Sequence, residues 1–188
     1  MILATAILVF SSSKANATIT LGGYSFENNA FADEVLDIYG TWIYDGPAKA
    51  LLGANITYAT VNWPYDENAY IRVAFTDNSI VNGPGTDLIL FETSAGQTLG
   101  CPARITISGI TNTYDTHWLG PGDLHAAIVN LDDFSVAPGG RVSTITLWGG
   151  ANDTDYMGLG ALNNGAPIPE PATLFLLTLG GLILRRRK

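Results

Sequence analysis

Between residues 18 and 166 the side chains able to do more than pack are 16 carboxylates, two histidines, one cysteine and several large rings. His117 and His125 stand eight positions apart around Gly120-Pro121-Gly122. A metal or acid–base site would need them to converge with a carboxylate such as Asp115 or Asp123, and no H-x-x-x-H or H-E-x-x-H spacing provides that. Two strand histidines flanking a turn is the plainer reading. The serines occupy no G-x-S-x-G elbow, so acyl transfer lacks its usual strand-to-helix turn. Glycoside hydrolysis needs two carboxylates about 5 to 9.5 Å apart in a cleft. With acids this plentiful no pair stands out, and a polysaccharide hydrolase is a distant third among the functional readings. Cys101 is the only cysteine, which excludes an internal disulfide, a cysteine-built zinc site and dithiol redox chemistry.

Two kinds of cluster remain. Asp132-Asp133, Asn152-Asp153 with Asp155, and Asp66-Glu67 are oxygen-rich and fall in expected loops. Hard cations take six to eight oxygens, which makes calcium the one candidate cofactor, with Asp132, Asp133, Asp153 and Asp155 as candidate ligands. None of these clusters has the spacing of an EF-hand loop, and an acidic surface that keeps the domain soluble competes with the calcium reading. The rings are Trp42, Tyr44, Trp63 and Tyr65, with Trp118 and Trp148 further on. Trp63-Pro64-Tyr65-Asp66-Glu67-Asn68 combines rings that stack on a sugar face with polar groups that bond its hydroxyls, so Trp63, Tyr65 and Asp66 are the candidate sugar-binding residues. Most rings in a small all-β domain are core residues, which weighs against it.

Charge narrows the partners. The 188 residues carry a net charge of −8, yet five of the nine basic residues (Lys14, Arg185, Arg186, Arg187 and Lys188) lie near the ends. The body then has 16 acids against four bases, a field that repels phosphate backbones and excludes nucleic acid as a partner. No basic run is visible in it. Retention on an anionic polysaccharide would therefore call for bridging calcium or for neutral-sugar recognition.

The two ends read as addresses. Ile2 to Phe10 is apolar and too short to span a bilayer, and Ala15-Asn16-Ala17 supplies a small-residue cleavage pattern, so residues 1–17 are expected to be a signal peptide. Whether Met1 is the true start stays open, because no Lys or Arg precedes the apolar run. At the other end Pro169-Glu170-Pro171 is followed by the apolar stretch Ala172 to Leu184 and by Arg185-Arg186-Arg187-Lys188. Thirteen residues make about 20 Å of helix against a hydrocarbon core of about 30 Å, which suits a transient membrane anchor. The basic cluster stays on the cytoplasmic side.

Residues 167–188 resemble the PEP-CTERM protein-sorting signal of Gram-negative-type bacteria, with Pro169, Glu170 and Pro171 as its sorting motif. The resemblance implies export, processing by an exosortase, and a destination at the cell surface, the outer membrane or an extracellular exopolysaccharide matrix.

The body, residues 18–166, is one domain of about 150 residues, enough to bury roughly 68 to 70% of its unfolded surface. Tyr70 to Phe75 turns Ile71, Val73 and Phe75 to one face and Tyr70, Arg72 and Ala74 to the other. Asp87 to Glu92 is apolar on both faces, as a central strand is. Ala103 to Ser108 and Val142 to Trp148 complete four strong strands. Weaker candidates are Thr18 to Leu21, Ala54 to Val61, Tyr114 to Leu119, Leu124 to Asn130 and Met157 to Leu162. Phe31 to Tyr39 carries the longest helical periodicity and reads as a short helix or a loop. Turn clusters at Asn82-Gly83-Pro84-Gly85, Gly120-Pro121-Gly122-Asp123 and Pro138-Gly139-Gly140 punctuate the series. About eight strands so spaced predict an all-β antiparallel sandwich, closing as a jelly roll.

Asn28 to Asp33, Asn82 to Glu92 and Leu131 to Val136 also resemble segments of exported PEP-CTERM proteins with sandwich domains. That resemblance implies a jelly roll similar to galactose-binding modules and carries over no catalytic residue. The expectation is a non-enzymatic surface or matrix protein, structural or adhesive, with a carbohydrate-binding module as the alternative.

Overall fold

The computed structural model describes residues 18–44, 46–54, 59–61, 66–93, 101–120, 123–150 and 155–165. The expected leader and sorting tail lie outside the described residues, as do Trp63, Tyr65 and Asp153. Among the described residues no helix is long and apolar enough to cross a membrane.

The chain runs through β1 (Thr18–Leu21), β2 (Tyr24–Glu27), β3 (Glu34–Tyr39), β4 (Trp42–Tyr44), a short helix α1 (Pro47–Leu51), β5 (Ala59–Val61), β6 (Tyr70–Ala74) and β7 (Ser79–Val81). It continues through β8 (Leu88–Thr93), β9 (Ala103–Ile107), β10 (Ile110–Tyr114), β11 (His117–Trp118), β12 (Leu124–Val129), a 3-10 turn at Leu131–Phe134, β13 (Arg141–Val142), β14 (Thr144–Trp148), β15 (Asp155–Ala161) and β16 (Asn164–Gly165). The two large sheets have the orders β10-β9-β14-β6-β3 and β11-β12-β8-β15-β5-β4. A three-stranded sheet, β13-β7-β16, and the β1–β2 hairpin complete an all-β antiparallel sandwich.

Period-2 alternation builds its core. Ile71 and Val73 of β6, Ile105 of β9, and Ile145 and Leu147 of β14 face Leu88 and Leu90 of β8, Val129 of β12 and Leu159 of β15 across the sandwich. Each fully buried Leu or Ile contributes about 2 kcal/mol. The both-face apolarity of β8 has a matching cause. Ile89 and Phe91 turn to a second cluster with Phe26, Phe31 and Ala126, and the β1–β2 hairpin packs on it through Ile19, Leu21 and Tyr24. Its strand neighbours are β12 and β15, so β8 is central, as its sequence predicts.

The segment read as helix or loop contains a strand. Between Val35 and Asp37 the register of β3 against β6 slips, leaving Leu36 as a bulged residue. One extra residue breaks the two-residue period and spaces Val35 and Ile38 three apart, which imitates a helix in the sequence. Two elements missing from the sequence reading have similarly local causes. β10 returns along β9 through Ser108-Gly109, both with positive φ (51° and 83°), a tight two-residue hairpin. β2 returns along β1 through Gly22-Gly23, also at positive φ (57° and 84°).

Segments 82–92 and 131–136, two of the three that resemble those of exported sandwich proteins, are tied together structurally. The fully buried Asp87 carboxylate accepts hydrogen bonds from the Gly83 amide (2.8 Å), the Leu131 amide (2.8 Å) and Asn163 Nδ2 (2.7 Å). Asn82 Nδ2 donates to Asp132 Oδ1 at 2.7 Å and to the Val136 carbonyl.

Candidate functional site

With Ile71, Val73, Ile105, Ile145 and Leu147 turned inward, the alternate residues of the five-stranded sheet face solvent. Register then aligns them. Tyr39 of β3 lies opposite Tyr70 of β6, Tyr70 opposite Trp148 of β14, Trp148 opposite Arg104 of β9, and Arg104 opposite Thr113 of β10. One row across the strands therefore reads Tyr-Tyr-Trp-Arg-Thr. The next row is Asp37, Arg72, Thr146, Thr106 and Thr111.

Each ring is held. The Tyr39 and Tyr70 rings stack at 5.8 Å with 20° between their planes, and Tyr70 meets Trp148 edge-on at 5.4 Å. The Arg104 guanidinium lies 4.8 Å from the centre of the Trp148 ring, within cation–π range. Trp148 Nε1 donates to Thr106 Oγ1 at 2.7 Å, and Arg104 donates to the Glu67 carbonyl. Tyr70 Oη donates to Asp37 Oδ2 at 2.8 Å, which pushes the phenol above its ordinary value, with burial adding to the effect. Tyr39 on the edge strand is 56% exposed. Beside Trp148 and Arg104, Asn68 and Thr111 complete a hollow of about 280 Å³. Rings fixed by hydrogen bonds and stacking lose little freedom when a flat apolar surface settles on them.

The residues singled out in the sequence are placed as follows. Asp66 is half-buried at the ring-bearing end of β6, and its Oδ1 accepts from the amide of Asn68, which lines the hollow, at 2.9 Å. Trp63 and Tyr65 lie outside the described residues. Asp132 and Asp133 are exposed on the 3-10 turn but serve different partners. The first accepts from Asn82, whereas the second accepts from Tyr114 Oη at 3.0 Å. Asp155 is buried at the start of β15. Among the described residues no three His, Cys, Asp or Glu side chains stand close enough to hold a metal ion. His117 pairs with Ala126 and His125 with Trp118, so alternation points the two histidines to opposite faces of the sheet.

A second polar group lies inside the sandwich. Glu92 is directly opposite His125 on one side and Tyr156 on the other, and all three are inaccessible to solvent or nearly so. Glu92 Oε1 accepts from the Cys101 amide at 3.0 Å, while its Oε2 and both ring nitrogens of His125 have no hydrogen-bond partner among the described residues. Burial pushes the Glu92 carboxyl up to about 7. The Asp155 charge pushes the same way, and hydrogen bonds from Thr116 and Cys101 oppose both. Closed from solvent, this group does not meet a large ligand.

The outward row was half visible in the sequence. Alternation within one strand had already set Tyr70 and Arg72 on the face away from Ile71 and Val73; only the pairing register shows that they join Trp148, Arg104 and Tyr39.

The model of the PEP-CTERM protein-sorting motif matches residues 167–188, which include Pro169, Glu170 and Pro171. The match covers the tail and not the sandwich. It marks an exported, cell-envelope-associated chain and implies handling by exosortase and the export machinery. No curated protein matches the chain.

Proposed function

We propose that the chain is a non-catalytic cell-surface or exopolysaccharide-matrix protein whose sandwich holds polysaccharide, an adhesive domain delivered by its sorting tail. The observation that carries this reading is the row Tyr39, Tyr70 and Trp148 on the solvent face of the five-stranded sheet. The C–H faces of pyranose rings pack on aromatic rings, and hydroxyls find partners in neighbouring polar side chains, supplied here by Thr106, Thr111, Thr113 and Thr146. A sheet face of this kind suits an extended polymer better than a small molecule, for which an enclosed pocket is the usual form.

The test is a glycan array and a pull-down on insoluble polysaccharides with the full chain and its Tyr39→Ala and Trp148→Ala variants. The wild type binds at least one polymer, and each variant loses at least tenfold in affinity with its circular dichroism unchanged. Loss in Trp63→Ala or Tyr65→Ala, with the row variants unaffected, would move the contact to the 63–66 loop. Binding to no glycan leaves a purely structural matrix role, whereas release of reducing ends from a polysaccharide would argue for the hydrolase.

A further inference from the structure

Charge on the ring-bearing face is balanced, although the body as a whole has 16 acids against four bases. The outward charges of the five strands are Arg72 and Arg104 against Glu34 and Asp37. Arg72 is directly opposite Asp37, which also accepts the Tyr70 hydroxyl. Arg104 lies over the Trp148 ring and donates to the Glu67 carbonyl, so the protein itself holds this guanidinium. Two further acids, Asp66 and Glu67, stand just before the ring-bearing end of β6. No cation is in excess here.

What the face offers in quantity is uncharged. From β14 to β10 the outward residues besides Trp148 and Arg104 are Thr144, Thr146, Thr106, Thr111 and Thr113. Thr106 Oγ1 accepts from Trp148 Nε1 at 2.7 Å and lies 2.6 Å from Thr111 Oγ1. An indole N–H only donates, so one hydroxyl hydrogen of this threonine pair lies between the two oxygens and the other is left for a ligand, along with lone pairs. Asn68 lines the same hollow as Thr111, and its carboxamide both donates and accepts.

We propose that this face selects an uncharged polysaccharide and rejects polymers of uronic acids. The proposal rests on the polysaccharide reading above and names its ligand class. A sugar hydroxyl donates and accepts, as do a threonine hydroxyl and an asparagine carboxamide, so the match needs no charge. A sugar carboxylate settled against the rings would lose water, which is costly unless a cation takes it. Arg72 would be shared with Asp37, and Arg104 with the Trp148 ring and the Glu67 carbonyl, so neither repays that cost as an uncommitted guanidinium would. At physiological salt the rest of the acidic body is screened beyond about 8 Å, whereas at low salt it adds repulsion against an anionic polymer.

The test is affinity electrophoresis of the full chain, in buffer containing EDTA, on polymers matched in backbone and differing in charge. Hydroxyethylcellulose is set against carboxymethylcellulose, and the methyl ester of polygalacturonate against polygalacturonate. Hits on the glycan array are expected among uncharged glycans, and in any pair that is bound the uncharged polymer should bind at least about tenfold tighter. Raising NaCl from about 20 mM to about 300 mM should alter its binding less than about twofold, while the acid polymer gains. Asp37→Asn keeps an acceptor for the Tyr70 hydroxyl and removes the charge opposite Arg72. It should raise the acid-to-uncharged binding ratio at least about threefold, with an unchanged melting temperature showing that it folds. Glu34→Gln on the same strand should shift the ratio the same way by less. Equal or tighter binding of the acid polymer, array hits confined to uronic acids, or a ratio unmoved in both variants would overturn the proposal. If acid polymers bind and Tyr39→Ala or Trp148→Ala abolishes that binding, the polysaccharide reading stands and only the selection for uncharged sugar falls. If no polymer and no glycan on the array binds, both fall.

Discussion

Glu92 shows what a single buried carboxyl does to the molecule. Its carboxyl sits between His125 and Tyr156 with burial raising it to about 7, against 4.5 in the unfolded chain. The folded state therefore holds a proton that the unfolded state releases first. That contribution to stability is fully present below about pH 4.5 and is lost as pH rises through about 7, to an extent of at most about 3 kcal/mol. His125, Tyr156, Cys101 and Asp155 are the other titratable groups around it, and the Asp155 charge adds to the penalty for a charged Glu92. Urea unfolding at pH 5 and pH 8 should show the wild type losing more stability than Glu92→Gln over that interval. Parallel losses in the two proteins would remove Glu92 as the cause.

At the scale of elements, turns decide where the outward rings end up. Gly40 follows β3 at φ +88°, and a Cβ there would stand 2.5 Å from the Ala69 Cβ, beside Tyr70. Gly109 in the β9–β10 turn has a similar φ of +83° but open space around it. Gly109→Ala should cost about 1 kcal/mol of backbone strain alone. Gly40→Ala adds a backbone-level clash and should cost at least twice that, while also weakening polysaccharide binding through the displaced Tyr39–Tyr70 pair. Equal melting-temperature drops for the two would show that the close approach at Gly40 relaxes freely. The same elements explain what the sequence could reveal. β6, β8, β9 and β14 alternate or fill both faces without interruption, and each is found where it was expected. β3 was hidden by its bulge, and β10 by a Ser-Gly turn that lacks the stronger Asn-Gly signal. The ring row was hidden for a different reason. Its members, at positions 39, 70, 104 and 148, are joined only by the pairing of four strands, and local spacing carries no trace of that pairing. Sequence reasoning instead gathered Trp63, Tyr65 and Asp66 because they are neighbours in the chain. Of these, only Asp66 falls among the described residues, where it accepts from the Asn68 amide.

The whole molecule joins a sorting tail to a β-sandwich. Protein recovered from its native host should have an intact mass lacking residues 1–17 and the segment from about Pro169 onward, as the cleavage triplet and the matched sorting motif imply. A full-length mass would end the processing model while leaving the sandwich as it is.

The small β13-β7-β16 sheet gives the distance between the ring row and the last described strand. Asn164 of β16 pairs with Ile80, which pairs in turn with Val142, and from Val142 the chain runs on through β14 to Trp148. Six residues of extended chain amount to roughly 20 Å, so Trp148 lies about that far along the strand direction from the level of Asn164. On the proposed reading, a polymer seated on the rings would be held about that far along the strands from the level at which the described chain ends, a stand-off set by the length of β14.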